Sequence, residues 1–247
     1  MKQTLLSTIL LCSIFLGQAQ TQTQFFGKVK IDFEKTLNVH ASYKTMDAQW
    51  FERIKERLPK EAITYHQFIG DSTRSIYKPG KEADIDPRSW FRPVADKNVV
   101  FTDYKSGRTI AQKPVFEETF LMEDSLVKIK WKLSPDTRII AGYECRKAIG
   151  ILADTIAVFA FYTDELMISG GPEGIHGLPG MILGVGIPRL HATWFATKVE
   201  VFDVNINAVT PATKGKKVDR PTMMKSLDKV LRQWGEYGGK LIVNFAI

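Results

Sequence analysis

The sequence predicts an α+β, mainly β fold: a curved antiparallel sheet of half-barrel type packed on one or two helices. Three observations carry this expectation. Residues 28–39 and 127–133 alternate apolar and polar side chains with a period of two, the pattern of a strand with one buried face. The shorter apolar runs between them are divided by closely spaced turn residues, which favours hairpins over helix-linked parallel strands. Helical spacing occurs in only two places.

In the first alternating segment Val29, Ile31, Phe33, Leu37 and Val39 share one parity, and Lys28, Lys30, Asp32 and Glu34 share the other. A helix is predicted next. Met46, Trp50, Ile54 and Leu58 recur every four residues, Thr45 is placed to cap the start, and Pro59 ends the run. Strands are then expected at residues 62–69, 74–77, 99–104, 108–112 and 116–122, with Gly70-Asp71, Ser106-Gly107 and Glu123-Asp124 as turns. Val127, Ile129, Trp131 and Leu133, interleaved with three lysines, repeat the alternation more strongly, and Ile139, Ala141, Tyr143 and Cys145 read as one face of a further strand. Residues 155–163 are apolar on both parities, as in a strand covered on both sides. The long apolar run 190–204 shifts parity partway, which predicts a bulge. Residues 211–219 read as a polar surface loop. A second helix follows, with Pro221 in its first turn, a stripe of Met223, Met224, Leu227, Val230, Leu231 and Trp234, and Gly235 as its stop.

The chain has 247 residues, 44% of them hydrophobic and 25% charged, with a formal charge of +7. This is the composition of a packed globule, and with two cysteines a disulfide-dense scaffold is excluded. Residues 1–19 read as an export signal: a basic start at Lys2, an apolar run from Leu5 to Leu16, and small residues at Gly17 and Ala19. Cleavage there would remove Cys12, leave Cys145 as the one thiol, and leave no integral membrane segment. Residues 20–247 then form a single domain, exported to the periplasm or cell envelope. The basic residues form neither a stripe nor a recognisable module, so nucleic acid is not an expected partner.

The unusual feature is a glycine-rich stretch containing Gly170, Gly171, Gly174, Gly177, Gly180, Gly184 and Gly186. Such density marks backbone that turns sharply or approaches a neighbour closely. Leu178-Pro179-Gly180-Met181 fits a type II turn, with Pro179 presetting φ and Gly180 accepting a positive one. Known loops fail at specific positions. A phosphate loop lacks its Gly-Lys-Ser/Thr end, Gly184-Val185-Gly186 runs into Pro188 where a dinucleotide fingerprint needs a third glycine, and Ser169 follows Met167 where a hydrolase elbow needs glycine.

Residues 142–148, Ala160-Phe161-Tyr162-Thr163-Asp164-Glu165, Gly171-Pro172 and Gly177-Leu178-Pro179-Gly180-Met181-Ile182 resemble, in order, the pattern of the GLPGLI family over roughly residues 120–205. Met181 replaces the second leucine of the hexapeptide, and Phe161 stands where tryptophan is usual. The resemblance implies an exported envelope protein of Bacteroidetes-type bacteria without an established activity, and it transfers no catalytic residue.

The candidate ligand- or partner-proximal residues are therefore Gly171, Pro172, Gly177, Leu178, Pro179, Gly180, Met181 and Ile182, with Tyr162 and Cys145 beside them. No cofactor and no metal are expected, because His40, His66, His176 and His191 form no paired ligand motif. The leading reading is a non-catalytic envelope protein that binds a hydrophobic ligand or an envelope protein, with an apolar cavity beneath the sheet. Two alternatives stand: a metal- or thiol-dependent enzyme built on His176, His191 and Cys145, and an adaptor that docks an outer-membrane transporter through the turn.

Overall fold

A computed structural model describes residues 26–83 and 91–246; residues 1–19, expected from the sequence to be an export signal, lie outside the described residues. In chain order the elements are β1 (Lys28–Asn38), α1 (Val39–Met46), α2 (Ala48–Ile54), β2 (Glu61–Asp71), β3 (Arg74–Pro79), β4 (Val99–Asp103), β5 (Arg108–Val115) and β6 (Glu118–Ser125). They continue with β7 (Lys132–Ile140), β8 (Tyr143–Leu152), β9 (Ile156–Thr163), β10 (Met181–Ile187), β11 (Ala192–Glu200), β12 (Lys216–Val218), α3 (Arg220–Leu231) and α4 (Gly235–Leu241). No helix among the described residues is long and apolar enough to cross a membrane.

The strands form one sheet in the order β12-β6-β5-β4-β3-β2-β1-β11-β10-β9-β8-β7. Every pairing is antiparallel except β12 on β6. Two meanders, β2–β6 and β7–β11, are joined through β1, which pairs with β2 on one side and β11 on the other. Its apolar parity is why it can hold the centre: Val29, Ile31 and Phe33 are fully buried. The sheet curls. Arg138 on β7 sits 4.5 Å from the Phe195 ring on β11, although four strand spacings in a flat sheet would separate them by about 19 Å. This return covers the second face of β9, where Phe159 and Phe161 are half-buried. A curved antiparallel sheet packed on short helices is thus the architecture, with Met223, Leu227 and Leu231 of α3 in the main core.

Several expectations are corrected. Residues 127–131 form no strand, although their alternation is the clearest in the chain. They run as a strap over Gly150, where an added Cβ would lie 2.8 Å from Ile129 Cγ2, and the Trp131 indole N–H donates to the His176 carbonyl at 3.0 Å. Alternation reports one apolar side, and a strap lying across the core has that without a ladder. The expected strand through Ile139 and Cys145 is instead a hairpin. Ala141 and Gly142 take φ of 48° and 89°, the two positive values that a tight primed turn needs, and Ile139 is left 66% exposed.

The first helix begins earlier and breaks in the middle. The Asn38 side chain accepts from the Ala41 N–H and caps α1, and Asp47 accepts from Trp50 N–H and caps α2. Val39 therefore belongs to α1, and Thr45 does not cap; its hydroxyl meets the His191 ring instead. Pro221 does open α3, and a short 3-10 turn ends at Gly235 with φ of 67°. The chain then re-enters a helix, α4, which lies beyond the predicted stop. Lys216–Val218 of the expected loop pairs with β6. The bulge predicted in β11 is present, because the register against β1 shifts between Asp32 and Phe33 and skips Thr197.

Candidate functional site

The segment between β9 and β10 folds back onto the core face of the sheet. Leu166, Ile168, Ile175 and Leu178 are buried, whereas Met167, Ser169, Gly177 and Pro179 are exposed. The approach is close: a Cβ at Gly171 would lie 2.8 Å from Ile182 Cβ. The expected type II turn is corrected here. Gly180 N–H donates to the Leu178 carbonyl at 2.8 Å, giving a tighter three-residue turn around Pro179, and Met181 N–H donates to Leu166 at 3.0 Å instead of closing onto Leu178. Gly180 has φ of 144°, and a Cβ there would overlap the Thr163 carbonyl oxygen. The turn launches β10 directly into the core, where Met181, Ile182 and Leu183 are fully buried.

Most of the predicted site residues are buried. Tyr162 pairs with Ile182 across the β9–β10 ladder and is buried. Leu178 and Pro172 are buried too, and only Gly177 and Pro179 reach solvent. Cys145 is fully buried, its thiol donates to the Tyr143 carbonyl at 3.6 Å, and burial, with Glu165 adding to it, pushes its pKa up to about 12. Such a thiol is no nucleophile at neutral pH. His176 is held by the Gly174 carbonyl at 2.9 Å and His191 by the Thr45 hydroxyl at 2.9 Å. The pair is anchored to different elements, and among the described residues no group of three His, Cys, Asp or Glu could hold a metal.

Beside the turn lies the feature that the chemistry centres on. A cavity of about 160 Å³ is bounded by Val100, Ala111 and Lys113 from β4 and β5, Ile129 of the strap, Leu152 of β8, and Glu173 to His176 of the glycine-rich segment. Its rim carries Val127, 48% exposed. Most of this wall is apolar, with Lys113, Glu173 and Arg220 set into it. Glu173 has φ of 54° and ψ of 22°, a left-handed conformation costly for a residue with a Cβ. Its Oε2 accepts from the buried Asn98 amide at 3.0 Å.

Two buried lysines surround this carboxylate. The Lys35 ammonium donates to the Ala95 carbonyl at 3.1 Å and sits 5.1 Å over the Trp194 ring. Burial lowers its pKa, opposed by Glu173 and Asp96. Burial also lowers Lys113, to about 8, against the attraction of Glu173. Nearby, burial lowers the pKa of His66, whose Nε2 meets the Asp96 carbonyl at 3.0 Å. The Thr64 hydroxyl, His66 Nδ1, Tyr77 hydroxyl and Trp194 Nε1 are buried without a hydrogen bond among the described residues. The interior next to the cavity is thus polar and donor-rich, held to the glycine-rich segment through Glu173.

These residues escaped the sequence reading, yet two left a trace. Lys35 interrupts the apolar parity of β1 between Phe33 and Leu37, and Lys113 does so in β5 between Ala111 and Val115. A charge on a buried parity is the informative exception. Glu173 left no such trace.

Residues 101–227 match the family described as N-glycanase peptide, N-terminal domain. The chain belongs to that family. The matched span runs from β4 into α3, and so contains the strap, the glycine-rich segment and most of the cavity wall. No curated protein matches the chain. Among solved structures, PNGF-II in a P21 crystal form aligns over 85% of this chain with a TM-score of 0.52 and 16% identity, and in a C2 form over 81% with the same score and identity. At that identity the likeness is one of fold. This chain spans 34% and 32% of those two longer chains, about a third of their length.

Proposed function

We propose that this protein is a non-catalytic binding module of the cell envelope that takes a small, largely apolar ligand into the cavity beside Ile175. The observation that carries the reading is the cavity itself: about 160 Å³, walled by Val100, Ala111, Ile129, Leu152 and Ile175, and open at Val127. An apolar cavity of about 150 Å³ engineered in another protein binds benzene, so one ring or a short branched chain fits and a diacyl lipid does not. Placement in the envelope rests on the export-signal pattern of residues 1–19 and on the GLPGLI resemblance. The family description, the N-terminal domain of an N-glycanase, and the one-third span of PNGF-II support a module that works beside a larger enzyme.

The test is native mass spectrometry of protein taken from its own envelope, compared with an Ala111→Leu variant that fills the cavity. The reading predicts a bound small molecule that is released on unfolding and absent from the variant. A co-purifying diacyl lipid, or a ligand that Ala111→Leu retains, would contradict it.

A further inference from the structure

We infer that the ligand of this cavity carries a neutral head group with an N–H or O–H donor, a carboxamide or an alcohol, which the second carboxylate oxygen of Glu173 accepts. The inference rests on the ligand-binding reading above and deepens it by naming the head group. Among the described residues Glu173 is the one acidic side chain on the cavity wall. Its Oε2 is taken by Asn98, and Oε1 accepts no hydrogen bond from the described residues. A carboxylate oxygen can accept two donors, so Glu173 retains capacity to accept one from a ligand.

The positioning is built into the chain. Asn98 is 1% exposed, and a buried amide is retained where its hydrogen bond matters. Glu173 itself is held in a left-handed conformation, a strain that clusters at sites where a side chain must be aimed. Charge then selects the head group. Lys113 on the same wall and Lys35 behind it both interact with Glu173, and Arg220, paired with Asp124 at 3.7 Å, lies on that wall too, so an ammonium ligand would enter against three cations. A carboxylate ligand would be placed against Glu173. A neutral donor meets neither penalty, and its hydrogen bond to an ionised acceptor is of the stronger class.

The experiment compares ligands of one shape by calorimetry on the full exported chain: benzamide against acetophenone, in which a methyl group replaces the amide nitrogen, with toluene, benzylammonium and benzoate alongside. Benzamide should bind about tenfold more tightly than acetophenone, and more tightly than either ion. In Glu173→Leu that preference should fall to about one while toluene still binds. Where that variant does not fold, the benzamide and acetophenone comparison on the wild type decides alone. Equal binding of benzamide and acetophenone, or tighter binding of an ion, overturns the head-group assignment but leaves the cavity reading intact. No binding of any of the five, toluene included, overturns both.

Discussion

Replacing Gly180 by alanine tests how the turn works. The new Cβ would overlap the Thr163 carbonyl oxygen and lie 2.7 Å from the Thr163 carbonyl carbon and 2.9 Å from Asp164 Cα. All three are backbone atoms, so no rotamer can relieve the clash. β10 must move away from β9, which strains the Met181↔Thr163 pair and the bond from Met181 N–H to the Leu166 carbonyl. The positive φ costs about 1 kcal/mol, displacement of packed backbone about 1–3 kcal/mol, and the weakened hydrogen bond about 1 kcal/mol. The sum is about 4 kcal/mol, or a Tm lowered by roughly 10 °C in a chain of this size. Gly177→Ala is the control. Its φ is also positive, at 95°, but its Cβ would meet only Trp131 Nε1 at 3.4 Å and Cδ1 at 3.8 Å, so it should lose about 1 kcal/mol. The assay is reversible urea denaturation of the three proteins. Equal losses in the two variants would refute the argument, since conformational strain alone would then explain both.

Other outcomes follow from the interior. Lys113 titrates near 8 when folded and near 10.5 when unfolded, so between those values the unfolded chain holds more protons and stability rises with pH. From pH 7 to 9 the gain should be on the order of 1 kcal/mol and vanish in Lys113→Met, as read from urea midpoints. Cys145 acts in the opposite sense: its folded pKa of about 12 lies above the ordinary thiol value of 9.0, so its contribution is complete below pH 9 and is lost above it. The same thiol should resist alkylation at pH 8 for as long as the chain is folded, and labelling at the rate of a free cysteine would show that it is accessible. Gly150→Ala should cost about 1–2 kcal/mol by pushing Ile129 and Trp131 off β8, with a change in Trp131 fluorescence; an unchanged spectrum would mean that the strap is not seated there.

The strands of the β2–β6 meander were legible because each carries its own local apolar pattern, but one turn was misplaced: Glu123-Asp124 lies inside β6, and β5 turns into β6 at Phe116-Glu117, where Phe116 has φ of 55°. The strap was misread on the same kind of local pattern. Val127, Ile129 and Trp131 alternate as a strand does, but whether a ladder forms is decided by what lies alongside, here Gly150 and the His176 carbonyl. The hairpin at Ala141-Gly142 was hidden because the apolar parity continues through it. The turn was found at the right residues with the wrong hydrogen bond, since Leu166, fifteen positions upstream of Met181, takes the donor that a local turn would have used. The charged part of the site was least visible. Lys35, Asn98, Lys113 and Glu173 come from four separate stretches of chain, and the glycine-rich segment folded onto the sheet carries Glu173 to the Asn98 amide.

The measurement that bears most directly on the cavity is xenon binding to crystals of the protein, because xenon enters apolar cavities of this size without needing any particular head group. The account predicts an anomalous peak enclosed by Ala111, Ile129, Leu152 and Ile175, lost in Ala111→Leu. Density showing Ile129 and Ile175 collapsed into that space, with no xenon between them, would contradict it.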